Sequence, residues 1–206
     1  MIQTKIDTLW LRQCCAFHLQ YFPDTPLLSK LCDLQNRIEQ QSTAPLLRVP
    51  LQSLHMTVVT LIDARSQFRV PNHEVWKLEG ARWTEIIDRL VEKTPPVDLE
   101  FSEVATSEAA VFIKAKEPPE LHRLRADISH AICFEDWRPR PPQIAHITLF
   151  RFHAAKSISK VKVNARFVPI AATVRSLQLL EELVYPSIEI TRLSAPLLLG
   201  VWDEAS

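Results

Sequence analysis

Hydrophobic and polar positions along the chain change period several times, and the changes mark out the elements. Residues 14 to 22, CCAFHLQYF, read as a strand. The segment DTPLLSKLCDLQNRIEQQ that follows begins with an Asp or Thr cap, carries Pro26 near its first turn and spaces Leu27, Leu31, Leu34 and Ile38 at helical intervals. Residues 53 to 61 read as the next strand. From 62 to 82 no steady period holds, and Pro71 and Gly80 interrupt the run, so this stretch reads as a long loop inserted in the domain. WTEIIDRLVEKT is a short amphipathic helix stopped by Pro95 and Pro96. VDLEFSEVA and AAVFIKA alternate as strands do around a turn near Ser107, which predicts a hairpin. PPELHRLRADISHAIC is a helix with Leu121, Leu124, Ile128 and Ile132 on one stripe. FEDWRPRPPQ ends it, a strand follows at 143 to 152, and TVRSLQLLEEL and SIEITRLSAPLLL read as two further strands joined through Tyr185 and Pro186.

Two of these strands depart from apolar patterning in the same way. LQSLHMTVVTL at 51 to 61 and QIAHITLFRF at 143 to 152 each place a His and a Thr two residues apart between apolar neighbours. Side chains alternate across a strand, so His55 and Thr57 share one face and Leu54, Met56 and Val58 the other. In the second copy His146 and Thr148 share a face opposite Ala145, Ile147 and Leu149. With seven histidines and Thr at about one position in seventeen, one His-x-Thr arises by chance about a third of the time. Two copies with apolar residues before, between and after point to function instead of chance. Two such polar faces turned towards each other would enclose a cleft holding two imidazoles and two hydroxyls.

That set suits displacement at phosphorus. A neutral imidazole can take a proton from the attacking water while a protonated one gives a proton to the leaving oxygen. Thr hydroxyls and backbone amides can hold the non-bridging oxygens where charge accumulates. Neither a metal nor a covalent intermediate is required, and no cofactor is expected.

Composition narrows the alternatives. The chain has 206 residues, 47% of them hydrophobic, enough to bury a sizeable core. Lys plus Arg equals Asp plus Glu at 24 each, so any anionic substrate is held by a few placed groups, not by a net field. Only Gly80 and Gly200 are present, which excludes the Walker loop, the dinucleotide fingerprint and the G-x-S-x-G elbow. No 18-residue apolar run and no signal-like start is found, so a cytoplasmic, non-membrane protein, taken as a monomer, is expected. Cys14, Cys15, Cys32 and Cys133 lack disulfide or C-x-x-C spacing and read as reduced, mostly buried thiols.

The motifs L-H-M-T-V and A-H-I-T-L resemble the paired His-x-Thr/Ser motifs of the two-histidine (2H) phosphoesterase superfamily. HITLFR is similar to the LigT or RNA 2',3'-cyclic phosphodiesterase branch, in which an Arg commonly stands where Arg151 does. The resemblance runs over residues 14 to 199 in element order, although only the motifs are specific. It implies an α+β, bilobal fold, two pseudo-symmetric α/β lobes with antiparallel sheets facing a central cleft, in a single domain spanning residues 1 to 206. It also implies hydrolysis of nucleotide 2',3'-cyclic phosphates or at RNA 3' ends, with His55 and His146 as base and acid and Thr57, Thr148 and Arg151 binding phosphate. The chain departs from LigT-like sequences after the first motif, where VTLID leads into the long segment, which leaves the substrate more open than the chemistry. Strict alternation puts Arg151 on the face opposite His146, so it reaches the cleft only if a bulge re-aims it.

Other candidates carry competing readings. His18 and Gln20 share the polar face of the first strand and either border the cleft or form an ordinary half-exposed surface. Trp137, Arg138 and Arg140 precede the second motif strand and could contact substrate. The 62 to 82 segment mixes Arg65, Arg69, Lys77 and Arg82 with Phe68 and Trp76 and could do the same, or be plain surface. His122 and His130 lack metal-ligand spacing. Beside the cyclic phosphodiesterase stand three alternatives: a 3'-trimming RNA exonuclease with the same site, a nucleotide- or RNA-binding protein without turnover, and a zinc hydrolase sensitive to chelator.

Overall fold

The computed structural model describes residues 1–66, 68–159, 161 and 168–200. Helix α1 (Thr25–Gln41) starts at its predicted cap, where the Asp24 carboxylate accepts from the Leu27 amide at 2.9 Å. Leu27, Leu31, Leu34 and Ile38 are its buried stripe, and Gln35 lies buried among them. Helix α3 (Pro119–Ala131) likewise buries Leu121, Leu124 and Ile128, together with Arg125. These two buried polar residues prove to be the helices' link to the site.

Helix α2 runs Asn72–Glu92 and corrects the expected 62 to 82 loop, of which the second half is helical. Its first turns lack a regular apolar stripe because they are held by aromatic packing. Trp76 stacks on Phe17 with ring centroids 4.5 Å apart and meets Trp83 edge-on at 6.1 Å. Gly80, which reads in sequence as a breaker, is the notch beneath Trp76: a Cβ there would come within 2.6 Å of the indole. The remaining loop from 63 begins with a tight turn in which Asp63 accepts from the Arg65 amide at 2.7 Å.

The strands are β1 (Ile2–Gln3), β2 (Gln13–Tyr21), β3 (Leu46–Arg48), β4 (Met56–Ile62), β5 (Val97–Thr106), β6 (Ala110–Ala115), β7 (Ala145–Phe152), β8 (Ser157–Ile158), β9 (Ile170–Val174), β10 (Ser176–Val184), β11 (Glu189–Arg192) and β12 (Leu197–Leu198). The predicted hairpin is β5–β6. One five-stranded antiparallel sheet has the order β11-β10-β2-β4, with β12 also on β10, the other five-stranded sheet has the order β3-β7-β6-β5-β9, and β1 pairs with β8 in a small two-stranded sheet. Each five-stranded sheet contains one motif strand, but neither is drawn from a single half of the chain. The expected continuous strand at 173 to 183 is divided at Arg175, with Val174 ending β9 in one sheet and Ser176 starting β10 in the other. The expected last strand is likewise two short ones, separated around Pro196. All four cysteines are free, and they are partly exposed, not buried as expected. No helix among the described residues is long and apolar enough to cross a membrane.

Both motif strands are irregular, and the irregularities are held from behind. On β4, His18 pairs with Thr60 and Gln20 with Thr57 while Leu19 pairs with Val59, which leaves Val58 as an extra residue; Leu61 is a second. On β7, Phe112 pairs with Thr148 and Val111 with Phe150, which leaves Leu149 extra. The carbonyls at these bulges find donors on the helices. Arg125 Nε donates to Val58 O at 3.0 Å and its Nη2 to Thr57 O at 2.8 Å, while Nη1 pairs with Glu117. Gln35 Nε2 donates to Leu149 O at 3.0 Å and to Val49 O at 2.9 Å.

Three substitutions test this packing. Gly80→Ala forces the confined Trp76 ring to move and should cost about 1–3 kcal/mol in denaturant unfolding. Gln35→Leu strands the Val49 carbonyl and leaves the Leu149 carbonyl with the Val49 amide as its remaining donor, and should cost about 1–3 kcal/mol, whereas Arg125→Met, which also leaves Glu117 without its cation, should cost about 3–5 kcal/mol. Equal stability of all three to wild type would contradict this packing.

Candidate active site

The bulges decide which side chains enter the cleft. Along β4 the half-exposed positions are Thr57 and Thr60, three apart, because Val58 and Val59 both turn inward. Along β7 they are His146, Thr148 and Arg151, because Leu149 and Phe150 are both buried. The bulge at Leu149 thus supplies the re-aiming that Arg151 needs. A cleft of about 230 Å³ between the sheets is lined by His55, Thr57, His146, Thr148 and Arg151, and by His18 and Gln20 from β2.

The two imidazoles are anchored alike. His55 Nδ1 lies 2.8 Å from the Ser53 carbonyl, and His146 Nδ1 lies 3.3 Å from the Ile144 carbonyl. A carbonyl only accepts, so each Nδ1 carries the proton and each neutral ring keeps its lone pair on Nε2. Phe22 packs against His55 and Phe112 edge-on against His146, limiting ring rotation. Burial in the cleft pulls His55 down from the ordinary histidine range to about 4, partly opposed by its bond to Ser53 and by the Glu182 carboxylate. Burial also lowers His146, and the guanidinium groups of Arg125 and Arg151 act in the same direction.

Beyond the motif residues, His18 stands between Thr60, with Nδ1 3.2 Å from Oγ1, and Glu182, with Nε2 3.5 Å from Oε2. Glu182 Oε1 accepts from the Ser187 amide at 2.5 Å and from its hydroxyl at 3.1 Å. Burial alone would raise the Glu182 carboxyl, but the contacts with His18 and Ser187 outweigh it and hold the group below the usual range. Arg151 lies over the Tyr185 ring, 5.4 Å from its centroid, and its Nε is 3.5 Å from Asp7 Oδ2. Burial pushes the Tyr185 hydroxyl up, so it remains protonated in the neutral range.

The structure does not bring Trp137, Arg138 and Arg140 into the cleft. Trp137 is occupied by Phe68 and Trp83, at 5.5 and 6.4 Å between centroids, and Arg138 donates to His130 O at 2.6 Å. Arg140 is exposed and away from the cleft lining. The aromatics that read as base-stacking candidates stack on one another. Of the basic residues in 62 to 82, Arg65 lines the cleft, while Lys77 and Arg82 pair with Glu74 and Glu79 on the surface of α2. Thr60, Asp63, Glu182 and Tyr185 also line the cleft and escape the sequence reading. Thr60 and Asp63 follow Thr57 at intervals of three, a period that alternation hides, and Glu182 and Tyr185 arrive from a distant strand. His122 is exposed, 3.3 Å from Glu117. Among the described residues no group of three or more His, Cys, Asp or Glu is placed to hold a metal.

Comparison with known proteins bears on the family and the fold. Residues 30–185 match the model of the 2'-5' RNA ligase superfamily. No curated protein matches by sequence. Among solved structures the chain is similar to TT0787 of Thermus thermophilus (TM-score 0.63, 18% identity, covering 90% of this chain and 98% of that one). It is also similar to E. coli LigT complexed with phosphate (TM-score 0.59, 16% identity, 92% and 99% covered) and with 3'-AMP (TM-score 0.59, 16% identity, 92% and 100% covered). At these identities the likeness is one of fold. The match over residues 30–185, which includes both His-x-Thr strands, makes the chain a member of the 2'-5' RNA ligase superfamily of two-histidine phosphoesterases.

Proposed function

We propose that the protein is a metal-independent phosphodiesterase that hydrolyses 2',3'-cyclic phosphates, of free nucleotides or at RNA 3' ends, with His55 and His146 as the general acid and base. The observation that carries this reading is the matched anchoring of the two rings: each Nδ1 is held by the carbonyl two residues earlier, at the starts of strands from two different sheets that line one cleft. The similarity to E. coli LigT, whose structures hold phosphate and 3'-AMP, is consistent with a nucleotide-type ligand.

In the proposed reaction, Thr57, Thr148 and Arg151 hold the non-bridging oxygens and place the phosphorus between the rings. One neutral imidazole takes a proton from water through Nε2 as the water oxygen bonds to phosphorus. The other ring, protonated, donates its Nε2 proton to the departing ribose oxygen as the P–O bond breaks, leaving a phosphomonoester and a free hydroxyl. The anionic phosphate itself favours a proton on the donor ring, offsetting the burial that lowers that ring in the free protein.

Turnover of 2',3'-cyclic nucleotides and of a short RNA ending in a cyclic phosphate, with chelator present, tests the reading. His55→Ala and His146→Ala should each lower kcat by a factor of ~10² to 10⁴. A wild type that is active while either variant keeps most of that activity rules out the paired-histidine mechanism, and trimmed oligonucleotide products would assign an exonuclease instead.

A pH profile provides a second test. The acid must hold a proton and the base must not, and the protonated fraction of a lowered histidine disappears as pH rises through its lowered value. With His55 at about 4 and His146 also below 6.5, kcat/KM should peak on the acid side of 6.5 and fall with rising pH across the neutral range. A flat or rising profile from pH 6 to 8 would contradict the assigned environments.

A further inference from the structure

The residue that faces Arg151 belongs to neither motif strand. Asp7 lies in the segment before β2, which is fastened along the cleft by backbone bonds: Lys5 N to Glu108 O at 2.7 Å, Asp7 N to Phe152 O at 3.2 Å and Leu11 N to Tyr185 O at 2.9 Å. Leu9 of this segment lines the cleft itself. Asp7 Oδ1 accepts from the Leu9 amide at 3.1 Å, which turns Oδ2 towards Arg151 Nε, 3.5 Å away. Both of those atoms are buried, and among the described residues neither has a hydrogen-bond partner. A buried carboxylate is thus placed against the guanidinium of a proposed phosphate subsite, where it weakens the site's pull on any anion.

We propose that Asp7 sets the charge preference of this subsite, favouring a singly charged phosphodiester over the doubly charged phosphomonoester that hydrolysis produces. The inference rests on the phosphodiesterase reading. Substrate and product share the same nucleoside, so contacts with sugar and base do not separate them. Charge does: the diester carries one negative charge and the monoester close to two above its second pKa of about 6. Arg151 alone would hold the product more strongly than the substrate and slow its release. Paired with Asp7 the subsite is close to neutral, and each phosphate charge is repelled by the carboxylate a few ångströms away in a partly dry cleft.

Asp7→Asn is the informative substitution, because the amide oxygen still accepts from Leu9 and faces Arg151 while the charge is gone. Calorimetric titration at pH 8 with a nucleoside 3'-monophosphate and with its methyl diester reads the two charge states without turnover. The repulsion removed scales with ligand charge, so Asp7→Asn should tighten the diester by about threefold and the monoester by about tenfold. Asp7→Glu, which keeps the charge, should retain more of the wild-type discrimination than Asp7→Asn. Should Asp7→Asn not fold, Asp7→Ser provides the same comparison. Equal changes for both ligands, or weaker binding of both, would mean that Asp7 only holds Arg151 in place and would overturn the proposal. Binding of neither ligand to wild type would overturn the phosphate-site reading beneath it as well. If both bind as expected while cyclic phosphates are not turned over, the charge preference stands and the proposed activity falls.

Discussion

The cleft depends on a constraint on backbone carbonyls. A strand that keeps strict alternation presents every second side chain to one face, and β7 in that form would offer His146, Thr148 and Phe150 to the cleft. Inserting Leu149 as an extra residue exchanges Phe150 for Arg151, but it also takes the Leu149 carbonyl out of the pairing with β6 and leaves it to the Val49 amide, 3.0 Å away, and to a donor from the helix layer. Gln35 from α1 donates to that carbonyl, and Arg125 from α3 does the same for Val58 on β4. Two helices otherwise devoted to apolar packing therefore carry one buried polar side chain each, and each reaches the motif strand of a different sheet. The helices hold the deviations that gather the polar groups into one place, and the hydrophobic stripes around Gln35 and Arg125 hold the helices.

Electrostatics inside the cleft follow from the same burial. Recessed imidazoles lose water, so the charged form is disfavoured and both rings rest neutral with Nδ1 protonated. A neutral ring with its lone pair on Nε2 is ready to act as a base, and in the proposed reaction the substrate phosphate would supply the negative charge that lets the other ring carry a proton. The carboxylates of Glu182 and Asp7 lie against His18 and Arg151, not against the motif histidines' anchored nitrogens. The pull of the Arg151 guanidinium on an anion is moderated by the Asp7 carboxylate beside it.

Much of this was legible in the residues. The Asp24 cap and the Leu stripe located α1, Pro95 and Pro96 marked the end of α2, and the repeated His-x-Thr singled out the two strands whose polar side chains line the cleft. What was hidden has physical causes. Helix α2 starts at Asn72 because Trp76 stacks on Phe17 and Gly80 makes room for it, a long-range contact that mimics a loop in one dimension. Bulges are invisible to alternation, so the place of Arg151 stayed undecided and Thr60 and Asp63 passed unnoticed. Trp137 and Arg138 were plausible ligand contacts by type and position, yet Trp83, Phe68 and the His130 carbonyl already occupy them. Glu182 and Asp7 reach the site from the two ends of the chain, where no local pattern connects them to a histidine.

The most direct measurement is the nitrogen-15 NMR spectrum of the two motif imidazoles in the ligand-free protein at pH 7, assigned by His55→Gln and His146→Gln. The account predicts two neutral rings, each with its proton on Nδ1 and an unprotonated Nε2 available to the cleft. A ring protonated on Nε2 in its neutral form, or an imidazolium at either position at pH 7 without ligand, would contradict the carbonyl anchoring from which the proposed acid–base chemistry is built.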